Sequence, residues 1–261
     1  MTSPHPDRHE VPPPPDLTVE DAGGWREHSR PNLALRRKKA EKIVALVETR
    51  RPMAGTRVLE IGTGSGAISA VLAEAVGPDG RVDSIDTMDT RMDTSGYEFQ
   101  VVSGVALPFE DATFDVVVSN HVVEHVGDRG AQQVHLDEIG RVLRPAGVGY
   151  LATPTRWAFR EPHFKVPFLS WLPRKHRDRY VRLAKAGTVY DVDPYARGEL
   201  GKALDRTGLR WTDETLTALT EVGRIEQPKG AAGVLVKAPA PIQRAARPAL
   251  PTMVFVLEKP R

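Results

Sequence analysis

Val58-Leu59-Glu60-Ile61-Gly62-Thr63-Gly64-Ser65-Gly66 is the stretch on which the fold turns. Arg57 to Ile61 is a short apolar run of the kind that forms a strand buried on both faces of a parallel sheet. It runs directly into three glycines at alternate positions. Ser65 to Val76 (SGAISAVLAEAV) then shows Ala-rich helical spacing that Gly77-Pro78 stops. A strand feeding a helix through Gly62, Gly64 and Gly66 lets the main chain approach a ligand that a Cβ would exclude. In open parallel sheets such a loop lies at the carboxyl ends of the strands, where the strand order reverses and ligands bind.

Working outward, Arg81 to Asp86, Glu98 to Ser103, Phe114 to Ser119 and Val148 to Thr153 read as further strands. Gln132 to Leu143 reads as a helix ended by Arg144-Pro145-Ala146-Gly147. Upstream, Pro31 to Arg51 is expected to be helical, with Pro31 at its opening and Leu33, Leu35, Ile43, Leu46 and Val47 as its apolar stripe. Strands alternating with helices imply a Rossmann-like, doubly wound α/β fold: a mostly parallel sheet, right-handed crossovers and helices on both faces. Only TMDTRMDTSGY separates the second and third strands, so the helix expected there is short or missing.

Beyond Thr153 the pattern changes. Pro154 to about Asp193 carries four prolines, clustered aromatics and many arginines, and reads as a cap inserted after the fifth strand. Tyr195 to Thr207 suits a helix and Thr252 to Leu257 a last strand, while Lys237 to Pro251 is a Pro/Ala-rich loop without a clear place. The expected organisation is a disordered Pro-rich tail over 1–21, a ligand-binding α/β domain over 22–153, the cap over 154–195, and completion of the sheet over 196–261.

Composition narrows the function classes. Thirty-six Lys and Arg against 34 Asp and Glu give a near-balanced charge, with no electrostatic case for nucleic acid as the main partner. The absence of cysteine excludes disulfides, thiolate nucleophiles and Cys-ligated zinc. No stretch has the form of a signal peptide or of a bilayer span, so a cytoplasmic protein without integral membrane association is expected. Oligomeric state is not encoded in any pattern found.

The glycine loop alone leaves two ligand classes open. Gly62, Gly64 and Ala67 also satisfy the dinucleotide pattern of nicotinamide enzymes, and Asp86, ending the second strand, can accept both ribose hydroxyls of an adenosine in either case. Downstream residues separate the two. Leu107-Pro108-Phe109, then Phe114-Asp115-Val116-Val117-Val118-Ser119-Asn120, Glu124-His125 and Arg141-Val142-Leu143-Arg144-Pro145-Ala146-Gly147 occur in one order and spacing. With them the chain resembles the class I S-adenosylmethionine-dependent methyltransferases of the UbiE/UbiG-like kind, from about Val58 to Pro154.

That resemblance implies S-adenosylmethionine as cofactor and a site residue by residue. Glu60 would sit near the methionine amino group, and the Gly62, Gly64 and Gly66 loop would make room for the methionine and ribose portions. Asp86 would hold the ribose hydroxyls. Val105 and Ala106 match the segment lining the adenine, although the family often has an acidic residue where Val105 stands. Ser119 and Asn120 would offer backbone groups to the methionine end.

Methyl transfer to a hydroxyl needs a positioned acceptor and a proton acceptor near neutrality. His121 is the first candidate base, and a helical turn would set His125 on the same face. His163, within Arg160-Glu161-Pro162-His163-Phe164 of the cap, is the second. Phe168 and Trp171 could wall an apolar acceptor. His121, Glu124 and His125 also have metal-ligand chemistry. UbiG-like quinone methyltransferases use a carboxylate-rich metal site around this stretch, but His121 replaces a glutamate there, and no metal is expected. The basic run Arg174 to Arg179 suits a solvated face or a peripheral contact with anionic lipid or a phosphorylated acceptor. The expected activity is methyl transfer to a small-molecule acceptor, at oxygen; the alternatives are a nicotinamide-dependent oxidoreductase and a non-catalytic S-adenosylmethionine-binding module.

Overall fold

A computed structural model describes residues 32–261. The Pro-rich tail expected over 1–21, and Pro31 as helix opener, lie outside the described residues. Asn32 instead caps α1 (Leu33–Glu48), its side-chain oxygen accepting from Leu35 N at 3.2 Å. Ala40, Ile43, Leu46 and Val47 form the buried face of α1. Leu35 does not belong to it and is exposed. The first turns of α1 carry Arg36, Lys39 and Lys42 over the carboxyl ends of the strands instead of packing on the sheet.

The remaining elements of the first half are β1 (Arg57–Ile61), α2 (Ala67–Val76), β2 (Arg81–Asp86), β3 (Glu98–Val101), β4 (Phe114–Asn120), α3 (Arg129–Val142) and β5 (Leu143–Pro154). After β5 come α4 (Arg174–Leu183), α5 (Arg197–Asp205), β6 (Arg210–Asp213), α6 (Thr215–Glu221), a π-helical turn at Val222–Glu226, α7 (Gly230–Lys237), α8 (Ala240–Ala246) and β7 (Thr252–Glu258). The seven strands form one sheet in the order β3-β2-β1-β4-β5-β7-β6. Pairs from β3 through to β5 are parallel, and β7 runs antiparallel between β5 and β6. The sheet is therefore mostly parallel and open, as the alternation of patterns implies.

Side-chain alternation divides the core into two layers. Leu59, Val117, Leu151 and Phe255 point toward α3 and α5; Val58, Val116, Val118, Tyr150 and Val254 point toward α1, α2 and α6. Strands buried on both faces explain why β1, β4 and β5 read as continuous apolar runs. Burying each such Val or Leu contributes about 1.5–3 kcal/mol, and truncating Leu59 would cost about 2–5 kcal/mol.

Strand order reverses between β1 and β4, which opens a crevice at their carboxyl ends. The glycine loop sits there, tied to β2 by Gly62 N and Thr63 N, which both donate to Ile85 O at 2.8 and 3.2 Å. Among the described residues no helix joins β2 to β3. Residues 87–97 fold back over the loop instead: Met92 N and Asp93 N both donate to Ser65 O at 3.0 Å, and Thr90 Oγ1 donates to Gly64 O at 3.1 Å.

The second half holds more structure than its sequence pattern suggested. The Pro/Ala-rich stretch from Lys237 to Pro251 contains α8, and β6 leaves no clear mark in the sequence because a half-exposed four-residue edge strand shows little apolar periodicity. The segment between β5 and α5 has a small core of its own, Val166, Leu169, Val181, Tyr190 and Val192. It is fastened to the sheet where Asp193 N donates to Glu124 O at 2.9 Å.

Candidate active site

The loop after β1 is built for close approach. Gly62 has φ +84°, and a methyl group on it would fall 2.4 Å from Val122 Cγ2. Gly66 has φ +81°, and a methyl group there would fall 1.9 Å from the Asp93 carbonyl oxygen. Gly66 is therefore needed where one chain segment crosses another, whereas the loop between these glycines faces the crevice. A methyl group on Gly64 would lie 3.6 Å from Arg36 Nη1, so α1 delivers a guanidinium over the loop. Arg36 was not singled out from the sequence, because a cation on an amphipathic helix has no local signature.

Two carboxylates flank this loop. Asp86 is held by Gly64 N and Thr87 N, each donating at 2.7 Å, which fixes its orientation at the end of β2. Glu60 is buried in β1; its Oε2 accepts from Ser69 Oγ, while Oε1 has no hydrogen-bond partner. Burial raises the Glu60 carboxyl to about 8, against the Ser69 hydrogen bond, with the Asp86 charge adding to the rise. An orphaned carboxylate oxygen beside a glycine loop suits an ammonium group, and the fixed Asp86 suits a ribose diol.

The downstream motifs are mostly scaffold. Asp115 accepts from Arg57 N at 3.0 Å, Arg51 at 2.8 Å and Arg144 at 2.9 Å. Arg141 donates to the carbonyls of Leu107 at 3.0 Å and Phe109 at 2.7 Å, which anchors the loop bearing Val105 and Ala106. Ser119 is buried, with Oγ 3.0 Å from His135 Nε2. Burial lowers that histidine to about 4 and keeps it neutral near pH 7.

At the end of β4, His121 adopts φ +60°, a strained conformation for a residue with a Cβ. The expected helical turn joining His121 to His125 does not form; a 3-10 turn begins at Val123, and His121 lies outside it. The partner of His121 is Glu124. His121 Nδ1 lies 3.2 Å from Glu124 Oε1, an oxygen without a well-aligned hydrogen bond, and Thr153 Oγ1 donates to Oε2 at 3.1 Å. Burial pushes Glu124 upward, but the contact with His121 and the nearby imidazoles hold it below the ordinary carboxylate value.

The cap brings His163 to the same place, its ring 6.3 Å from that of His121. His163 Nδ1 is 2.8 Å from Glu161 Oε1, and its Nε2 is 3.2 Å from His125 Nε2. Partial burial lowers the His163 pKa, yet the Glu161 contact with the charges of Glu161, Glu124 and Asp191 leaves it raised. Two carboxylate–imidazole pairs thus converge. His121, Glu124 and His163 offer donor atoms within 4.8 Å of one another, a set close enough to share a cation, with His163 in place of the sequence-adjacent His125.

A cavity of about 290 Å³ opens beside Asn120 and His121. Its walls are Tyr150, Ala152, Ala218, Leu235 and Val254, with Lys39, Lys42 and Glu226 also lining it. Lys42 Nζ lies 3.3 Å from Glu226 Oε1. None of the residues lining it comes from the cap, so Phe168 and Trp171 stand outside this cavity. Those rings pack against each other on the outside.

A sequence profile described as "Methyltransferase domain" matches residues 59–151. An enzyme named ubiquinone biosynthesis O-methyltransferase from Rhizobium johnstonii is 30% identical over 190 residues, 69% of this chain and 71% of that protein. The chain belongs to the class I S-adenosylmethionine-dependent methyltransferases. A Rhizobium etli protein of the same name is 31% identical over 174 residues; the alignment covers 63% of this chain and 64% of that protein, slightly under two thirds of its length. Among solved structures, a Haloferax volcanii putative methyltransferase, in complex with its Trm112 activator, aligns with a TM-score of 0.53 at 20% identity, covering 87% of this chain and 94% of that one. At that identity the likeness speaks for the fold, and the fold agrees with the family.

Proposed function

We propose that this methyltransferase acts on a hydroxyl group of a small, largely apolar molecule bound in the cavity beside His121. The observation carrying this reading is the position of one imidazole, backed by a buried carboxylate, between the cofactor crevice and an apolar cavity. When bound, S-adenosylmethionine supplies a methyl group on a sulfonium sulfur, a carbon already activated toward an oxygen nucleophile. Glu60, Asp86, Arg36 and the glycine loop would hold it, with Val105 and Ala106 beside the adenine and Ser119 and Asn120 near the methionine end.

The residues divide the remaining work. With Glu124 fixing the Nδ1–H tautomer, His121 Nε2 takes the hydroxyl proton, and the carboxylate stabilises the resulting imidazolium. His163 is less suited to that role, because its Nδ1 faces Glu161 and its Nε2 faces His125. It braces the cluster instead, between Glu161 and His125. The cavity, near the lower end of the 300–1,000 Å³ range of small-ligand sites, favours a single-ring or similarly sized acceptor portion. The quinone-pathway names of the relatives support an oxygen acceptor on such a ring. A small molecule, rather than nucleic acid, and a cytoplasmic setting complete the reading.

The test is transfer of label from S-adenosylmethionine into a fractionated small-molecule extract, with product analysis for an O-methyl ether. Thermal shifts with S-adenosylhomocysteine and NAD accompany it, since only a ligand favouring the native state raises stability. Stabilisation by NAD alone would point to an oxidoreductase. Tight S-adenosylhomocysteine binding without transfer to any fraction would point to a binding module.

A further inference from the structure

Most of the lining of the cavity beside His121 is apolar, yet Lys39, Lys42, Tyr150 and Glu226 also face it, and proton transfer at His121 needs none of them. The four form one cluster. Lys39 and Lys42 stand three residues apart on α1 and so share a side of that helix. Lys42 Nζ lies 3.3 Å from Glu226 Oε1 in the π-helical turn, and the charge of Glu226 also acts on Lys39 and Tyr150.

Two donors in this cluster lack an acceptor. Lys39 forms no hydrogen bond or ion pair among the described residues. Because Glu226 is paired with Lys42, the Lys39 ammonium is the surplus charge of the lining. Desolvation and then the charge of Lys42 lower it from the ordinary ammonium value, against the attraction of Glu226, and an anion beside it would offset both. Tyr150 is only 2% exposed, and its hydroxyl has no hydrogen-bond partner among the described residues. Burial, with the charge of Glu226 adding to it, raises this phenol above its ordinary value, so near neutral pH it is a proton donor. Buried polar groups are expected to be satisfied, and one that the protein leaves open is available to a ligand. Register fixes its place. Ala152 pairs with Asn120 and accepts from His121 N at 2.8 Å. Tyr150 lies two residues back on the same face of β5, about 7 Å further along the strand.

We infer that the acceptor carries a carboxylate at the end away from its methylated hydroxyl, with Lys39 as counter-ion and the Tyr150 hydroxyl as donor on that side of the cavity. A single surplus positive charge matches a monoanion, whereas a phosphate monoester would bring about −1.5 to −2. A neutral acceptor would leave both donors unmatched. This inference rests on the reading of the cavity as the acceptor site.

The experiment has a binding arm and a product arm. Calorimetry on the full chain with S-adenosylhomocysteine bound compares 4-hydroxybenzoate, 4-hydroxyphenylacetate and 3-(4-hydroxyphenyl)propionate with their neutral amides. At least one acid should bind roughly tenfold to hundredfold tighter than its amide, the worth of a charge-assisted hydrogen bond. K39M should remove that preference, K39R should retain most of it, and Y150F should reduce it, with S-adenosylhomocysteine binding unchanged as the check on folding. In the product arm, the ether labelled from a small-molecule extract should be held by an anion exchanger at pH 7 and enter organic solvent only after acidification. With that acceptor, K39M should raise KM about tenfold or more while kcat stays within about threefold. No binding, equal binding of acids and amides, or a preference that survives K39M would overturn the inference. So would a neutral labelled ether, a label released by mild alkali (a methyl ester, with the carboxylate itself methylated), or a product whose charge phosphatase removes. A carboxylate preference lost in K39M without methyl transfer to any fraction would keep the anion site and sink the hydroxyl-transfer reading, and a neutral labelled ether does the reverse.

Discussion

Replacing Glu60 by Gln removes a titratable carboxyl from the middle of the sheet while keeping the side chain's shape. Native burial holds this carboxyl at about 8, against an ordinary value of 4.5. A carboxyl raised in the folded state favours the protonated form there. Its contribution to stability is thus fully present below about pH 4.5 and is lost as pH rises through about 8. At 1.36 kcal/mol per unit, the wild-type protein should lose at most about 4 kcal/mol between pH 5 and pH 9 through this one group. Glu60→Gln cannot titrate and should lack that loss, so the two unfolding curves diverge as pH rises. Urea unfolding of both proteins at pH 5, 7 and 9 measures the difference directly. Cofactor binding should run the other way: an ammonium placed at Oε1 favours the ionised carboxylate, so wild-type affinity for S-adenosylhomocysteine should rise from pH 6 to 8 with proton release. Calorimetry in buffers of different ionisation enthalpy detects that release, which Glu60→Gln should abolish. Equal losses of stability in the two proteins, together with equal proton release, would refute the reasoning.

Other changes separate binding from chemistry. His121→Ala should lower turnover by about a hundredfold or more while calorimetric affinity for S-adenosylhomocysteine stays within about twofold. A stoichiometric divalent ion in the purified protein, lost from this variant, would make His121 a ligand rather than a proton acceptor. Asp86→Asn keeps an acceptor for Gly64 N but weakens the charged hydrogen bonds to a ribose, and calorimetry should show roughly tenfold to hundredfold weaker binding. Gly66→Ala forces a methyl group into the Asp93 carbonyl at a positive φ. It should cost roughly 2 kcal/mol or more of stability, seen as a lower Tm; an unchanged Tm would mean that residues 87–97 do not pack over the loop.

The cofactor half of this protein was legible in its sequence because each determinant is local. Glycines that need a positive φ or a close approach, an aspartate closing the next strand, and apolar runs buried on both faces all write their requirements into adjacent residues. The missing crossover helix could be read too, since eleven residues between the strands leave little room for one. The acceptor side was not legible in the same way. His121 and His163 are far apart in the chain, each beside a carboxylate of its own segment, and only the folding of the cap over β4 sets their rings together. The cavity is assembled from α1, β5, α6, α7 and β7, and Arg36 reaches the loop from a helix that precedes it. Periodicity reports which face of an element is buried, whereas which faces meet depends on the packing of the whole chain. Backbone strain at His121 and the outward stacking of Phe168 and Trp171 likewise arise from that packing, and tertiary structure alone decided them.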